Sequence, residues 1–312
     1  MDPLKTFFNL IAQSGFLRKL AARYGMRKPT SFARRFIAGE TAAEAIAAAR
    51  TVERRGFLQT LDYLGEGVTS LAEADAATRD YLRIIDEIIA AGIERNLSLK
   101  LTQLGLDVDR ASTVDNLRKI LARADGFFVR IDMESSRYTD VTLDIFETLW
   151  RQEYRQIGVV LQADLYRTEQ DVRRILPLGA RIRLVKGAYK EPKSVAYQDK
   201  ADVDAAYARL IRVLLAEGTY PAIATHDPAM IDEARRFATE QGIGSDRFEF
   251  QMLYGIRRDL QAALIQAGYR VRIYIPFGRQ WFPYFMRRLG ERPANVGFVV
   301  RSLLNEDLTE SS

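Results

Sequence analysis

From about Gly56 onward, short β-branched runs alternate with stretches whose apolar positions recur every three or four residues. Runs at Phe57–Leu64, Leu97–Leu101, Phe127–Met133, Ile157–Gln162, Ile182–Lys186, Pro221–His226, Phe248–Leu253 and Val271–Ile275 read as strands. Between them, Ala76–Arg95 places Tyr81, Ile84, Ile85, Ile88 and Ile89 on one helical face. Asp202–Glu217 and Arg257–Ala267 read the same way, and Gly92 and Gly218 stand where helices should stop. Eight strand–helix units over roughly 250 residues match a closed α/β fold, the (β/α)8 TIM-type barrel. A doubly wound sheet is the alternative.

The pattern divides the chain into an N-terminal helical arm over 1–55 and the barrel over 56–312. Leu4–Tyr24 and the alanine-rich Ala42–Arg55 predict helices, separated by Arg27-Lys-Pro29. The first carries Phe7, Phe8, Ile11, Phe16, Leu17 and Leu20 among basic residues. Such a stripe is expected to pack on its own domain or on a partner subunit, with a membrane surface as the second option.

Strand side chains alternate between faces, and here one face is repeatedly polar. It carries Ser98, Lys100 and Thr102; Arg130 and Asp132; Gln162; Arg181 and Arg183; His226; Glu249 and Gln251; Arg272 and Tyr274. The other face is apolar, as in Val129, Ile131 and Met133, and helices must cover it. The polar face should therefore line the barrel interior, with charges near the strand ends where such folds keep their chemistry. A structural network of Arg130, Glu249 and Arg272 is expected lower down. After the last strand, a Pro-Gly turn leads into a helix presenting Trp281, Tyr284, Arg287, Arg288 and Glu291. Paired guanidiniums beside aromatic surface suit a small carboxylate with an apolar body.

Composition narrows the chemistry. With no cysteine there is no disulfide, thiolate metal site or cysteine nucleophile. A single histidine, His226, rules out metal sites built from several imidazoles. The net charge of +5 permits anionic partners, but the basic residues are interspersed with acids, so no nucleic-acid binding is expected. No apolar run approaches a membrane span and the N-terminus lacks a secretory pattern, so a cytoplasmic protein is expected.

Several segments together resemble the proline dehydrogenase family, in its monofunctional, FAD-dependent bacterial form. They are Leu64-Gly-Glu66, Lys100-Leu-Thr-Gln-Leu-Gly105, Arg130-Ile-Asp132-Met-Glu134, Arg181-Ile-Arg183-Leu-Val-Lys-Gly187-Ala-Tyr189, Ala224-Thr-His226-Asp and Tyr274 to Asn295. The resemblance covers essentially the whole chain. It implies that Arg287, Arg288 and Lys100 hold the proline carboxylate, that Tyr274, Tyr284 and Leu253 wall the ring, and that Glu66 pairs with Arg287 as a gate. It implies that FAD rests on Met133, Gln162, Arg183, Val185, Lys186, Gly187, Ala188, Tyr189, Thr225 and His226. Arg183 would stabilise charge on the reduced ring, and the helix after His226-Asp227-Pro228 would offer free N–H groups to the pyrophosphate. Asp132 has two readings, a base for the substrate amine or an anchor for its neighbours, and the anchor is favoured.

The implied reaction is hydride transfer from proline to FAD, giving 1-pyrroline-5-carboxylate, with a membrane quinone as the final acceptor. The basic N-terminal helix is then a candidate peripheral contact with the inner face of the membrane, and a homo-oligomer is open. Lys190 stands where the bifunctional relatives carry an aromatic, so the adenine should be held differently. The rivals are a Schiff-base aldolase using Lys100 or Lys186, and a non-enzymatic anion-binding protein.

Overall fold

Eight parallel strands close on themselves in sequence order, so that β1 is hydrogen-bonded to both β2 and β8. The computed structural model describes residues 32–291, with side chains through Met286. The strands are β1 (Leu58–Tyr63), β2 (Asn96–Leu99), β3 (Phe128–Ile131), β4 (Ile157–Gln162), β5 (Arg181–Val185), β6 (Ala222–Ala224), β7 (Glu249–Leu253) and β8 (Val271–Phe277). A helix α1 (Ala42–Glu53) precedes them. The intervening helices are α2 (Leu71–Ala91), α3 (Arg110–Arg123), α4 (Thr139–Arg151), α5 (Thr168–Ile175), α6 (Lys200–Glu217), α7 (Pro228–Glu240) and α8 (Arg258–Gln266). The helix α9 (Trp281–Glu291) follows β8. This is the expected α/β barrel; the predicted helix Leu4–Tyr24 lies outside the described residues.

Helix ends follow local chemistry. Ser70 caps α2 by accepting the Glu73 N–H, which starts the helix earlier than the apolar spacing alone implied. Gly92, left-handed at φ 65°, stops it before Arg95. Thr41 and Glu44 form a reciprocal capping box at the start of α1. That helix buries Ala45, Ile46, Ala49 and Val52 in the same hydrophobic core as the barrel.

Outward-facing Leu97, Leu99, Val129, Ile131, Val159, Leu161, Ile273 and Ile275 are all buried beneath the helices. Each such burial is worth about 1.5–3 kcal/mol, which fixes which face of every strand points out. Register then shows what points in. Asp62 pairs with Ser98, Ser98 with Arg130, Val160 with Arg183, Arg183 with Ala222, and Thr60 with Tyr274. The interior is polar as expected, but β4 and β6 insert Val160, Ala222 and Ala224, and β1 adds Thr60 and Asp62.

The lower interior differs from expectation. Arg272 grips both oxygens of Glu249 at 2.7 and 3.0 Å and reaches Glu94 at 2.6 Å. Burial opposes the Glu249 charge, but Arg272 outweighs it and lowers the pKa. Arg130 is left out of this pair because the carboxylate is already occupied. It donates instead to the backbone oxygens of Arg181 at 2.8 Å and Val159 at 3.3 Å. Arg181, at the first position of β5, is exposed rather than interior.

Candidate active site

Strands β1, β2, β3, β5 and β8 deliver their polar side chains to one point at the C-terminal mouth. Lys100 and Asp132 lie just beyond the last ladder positions of β2 and β3 and line the cavity, with the Asp132 N–H still donating to the Leu99 carbonyl at 2.9 Å. Asp132 is the hub. It accepts from Arg183 Nη1 at 2.7 Å and from the Tyr274 hydroxyl at 2.7 Å, and Lys100 Nζ stands 3.7 Å away. Arg183 is held on two further sides, by Gln251 at 2.5 Å and Ser98 at 3.0 Å, and lies over the Tyr274 ring. A guanidinium held at three points has little rotational freedom left.

Asp62 completes the cluster and was missed in the sequence, where Leu-Asp-Tyr reads as an ordinary strand. It is fully buried, and one oxygen accepts from Lys100 Nζ at 3.3 Å while the other has no hydrogen-bond partner among the described residues. Burial raises its pKa, and Asp132 adds to the rise against the pull of Lys100. For Lys100 itself, burial works against the ammonium, but Asp62 and Asp132 together prevail and raise its pKa. Burial and the same two carboxylates hold the Tyr274 phenol protonated. The alternation of acid and base from Asp62 through Lys100 and Asp132 to Arg183 keeps buried charge compensated.

A cavity of about 520 Å³ opens from this cluster. Its lining brings together Met133, Gln162, Arg183, Val185, Lys186, Gly187, Ala188, Tyr189, Thr225 and His226, the whole set expected to hold a cofactor. Lys100, Asp132, Leu253, Tyr274 and Tyr284, expected around the substrate, share the same cavity. Gln162 is aimed by donating to the Glu134 carbonyl at 3.0 Å, and His226 Nε2 accepts the Leu253 N–H at 2.9 Å. Thr225 and His226 sit past the short β6, in the turn before α7. Glu66 is exposed on the loop after β1, and the side chains of Arg287, Arg288 and Glu291 lie outside the described residues.

Two of these cavity residues also have local partners. Lys186 is an ion-pair centre, bonded to Asp204 and, at 2.7 Å, to Asp227. Asp227 also caps α7 by accepting the Ala229 N–H at 3.1 Å, so part of the helix terminus expected to meet a pyrophosphate is already taken. Gly187 has a local reason to be glycine as well. Its φ is 120°, and the space a Cβ would need is filled by the Asp164 carboxylate.

Comparison with known proteins bears on the family and the fold. Residues 45–301 match the family model described as proline dehydrogenase. The chain is 42% identical over 301 residues to proline dehydrogenase 2 of Bacillus subtilis (strain 168), covering 96% of this chain and 98% of that one. It is 45% identical over 284 residues to proline dehydrogenase of Deinococcus radiodurans, covering 89% and 92%. The fold superposes with a TM-score of 0.78 on the crystal structure of proline utilization A (PutA) from Bdellovibrio bacteriovorus inactivated by N-propargylglycine, at 23% identity. That match covers 91% of this chain and 38% of the larger protein.

Proposed function

The chain belongs to the proline dehydrogenase family, and we propose that it oxidises L-proline to 1-pyrroline-5-carboxylate with FAD as hydride acceptor and a membrane quinone as final oxidant. One observation carries this reading. The charged cluster of Asp62, Lys100, Asp132, Arg183 and Tyr274 adjoins the same cavity as the ten residues suited to a flavin.

The donor set fits that cofactor. Met133, Val160, Val185, Ala224 and Met252 offer apolar surface to a flat ring, while Gln162, Arg183, Thr225 and His226 supply polar contacts at its edges. Lys186 and Lys200 stand at the outer end, where a diphosphate would have to compete with Asp204 and Asp227 for them. FAD, when bound, supplies the hydride acceptor. Everything else falls to the chain itself.

Lys100 is held as a cation between two carboxylates, which suits it to the proline carboxylate alongside Arg287 and Arg288 of α9. Tyr274, Tyr284 and Leu253 wall the pyrrolidine and keep water from the reacting carbon. Both oxygens of Asp132 are engaged, one by Arg183 and the other by Tyr274, so Asp132 orients these two groups rather than taking the amine proton.

The aldolase rival meets a physical obstacle. A Schiff-base lysine must be neutral to attack a carbonyl. Lys100 has a raised pKa and Lys186 is locked between Asp204 and Asp227.

The decisive experiment is the spectrum of the purified protein. A yellow protein whose colour is bleached by L-proline without oxygen is the expected result. A colourless preparation, or borohydride trapping of a substrate on either lysine, overturns the reading. The quinone rests on the family resemblance. Among the described residues no helix is long and apolar enough to cross a membrane, so contact with the bilayer falls to the basic segment 4–24. Unchanged quinone turnover on liposomes after deletion of residues 1–24 would remove that role.

A further inference from the structure

A second cavity, again of about 520 Å³, opens at the opposite, N-terminal mouth of the barrel. Arg181, Tyr220, Arg270 and Arg272 contribute to its lining. Arg272 is spent on Glu249 and Glu94, as described. Arg181 and Arg270 are not: neither forms an ion pair with any other described residue, although both are exposed cations.

They are nevertheless held in place. The Arg181 guanidinium lies over the rings of Phe128 and Tyr220, each at 5.1 Å. The Arg270 guanidinium lies over the same Tyr220 ring at 5.7 Å and donates to the Asp246 backbone oxygen at 3.1 Å. Tyr220 is itself fixed by donating to Glu249 Oε2 at 3.2 Å, with a left-handed φ of 49° that an aromatic residue rarely adopts. The nearby acids Glu249 and Asp246 form no ion pair with either arginine, although both act on Arg270 through space. Glu249 is committed to Arg272, and Asp246 meets Arg270 through its backbone. Beneath them Arg130, fully buried and without a carboxylate partner, donates to the Arg181 carbonyl and adds to the positive field.

We propose that this mouth is a binding site for a phosphate group, free or esterified, held by the forks of Arg181 and Arg270. Stacking on Tyr220 pre-orients both forks, which lowers the ordering cost of capturing a divalent oxyanion. A phosphate carries nearly two charges, enough to balance two guanidiniums, whereas a single carboxylate carries one. The site lies at the other end of the barrel from the proline cluster, so its occupancy is separable from turnover.

The test uses the full chain with inorganic pyrophosphate as the probe, followed by titration calorimetry. Saturable binding is expected, weakened by about tenfold or more in each of Arg181→Gln and Arg270→Gln and abolished in the double variant. Proline turnover should be unchanged in all three, which also reports that they fold. Flotation with phosphatidylcholine vesicles, with and without phosphatidic acid, whose phosphomonoester carries the required charge, distinguishes the sources. Vesicle binding that depends on both arginines, without pyrophosphate binding, identifies a lipid headgroup as the carrier. Absence of both kinds of binding, or binding indifferent to the two substitutions, overturns the proposal.

Discussion

Replacing Tyr274 by phenylalanine isolates one hydrogen bond at the centre of the site. The ring remains, and with it the wall of the cavity and the stacking on Arg183 at 5.2 Å. What disappears is the hydroxyl donating to Asp132 at 2.7 Å. A buried hydrogen bond to a charged acceptor is worth about 1.5–3 kcal/mol. If its purpose is to hold Asp132, and through it Arg183, most of that loss should appear in the reaction. At about 1.4 kcal/mol per factor of ten, kcat/KM for proline should fall by one to two orders of magnitude. Anaerobic stopped-flow reduction of the bound flavin by proline measures this directly. The same substitution in an Asp132→Ala background supplies the control, because the hydroxyl then has no Asp132 to hold. There it should change the rate by no more than about twofold, a strong departure from additivity. Equal and additive losses in the two backgrounds would show that Tyr274 acts on the substrate independently of Asp132, and the anchor role would fail.

Three further outcomes follow from the geometry. Arg272→Met leaves Glu249 buried without its partner and should cost about 3–5 kcal/mol of stability in urea unfolding; a loss below about 1 kcal/mol would mean that the lower interior is wet. Asp62 has a folded-state pKa above that of the unfolded chain, so its stabilising contribution is full at acid pH and lost as pH rises through the folded value. The stability of the wild type relative to Asp62→Asn should therefore decline from about pH 4 upward, the ordinary aspartate range, and a difference that grows with pH contradicts the burial argument. Gly187→Ala forces a Cβ into the Asp164 carboxylate at a φ of 120°, and should lower both thermal stability and flavin retention; a variant purified with full flavin content would show that this turn can relax.

The sequence alone determined the strand count, the apolar outer face and the polar inner one, because strand periodicity and helix spacing are local properties. It also placed Lys100, Asp132, Gln162, Arg183, His226 and Tyr274 on the strands or just past them, and they line one cavity once the barrel closes. Partner choice was decided only by the tertiary structure. Whether Glu249 takes Arg130 or Arg272, which acids pair with Lys186, and whether Asp62 reaches Lys100 all depend on how strands and helices are brought together. Those contacts join residues well separated in the chain, which become neighbours only when strands and helices assemble into the closed barrel. A periodicity can say which way a side chain points; only closure of the sheet says what it meets there.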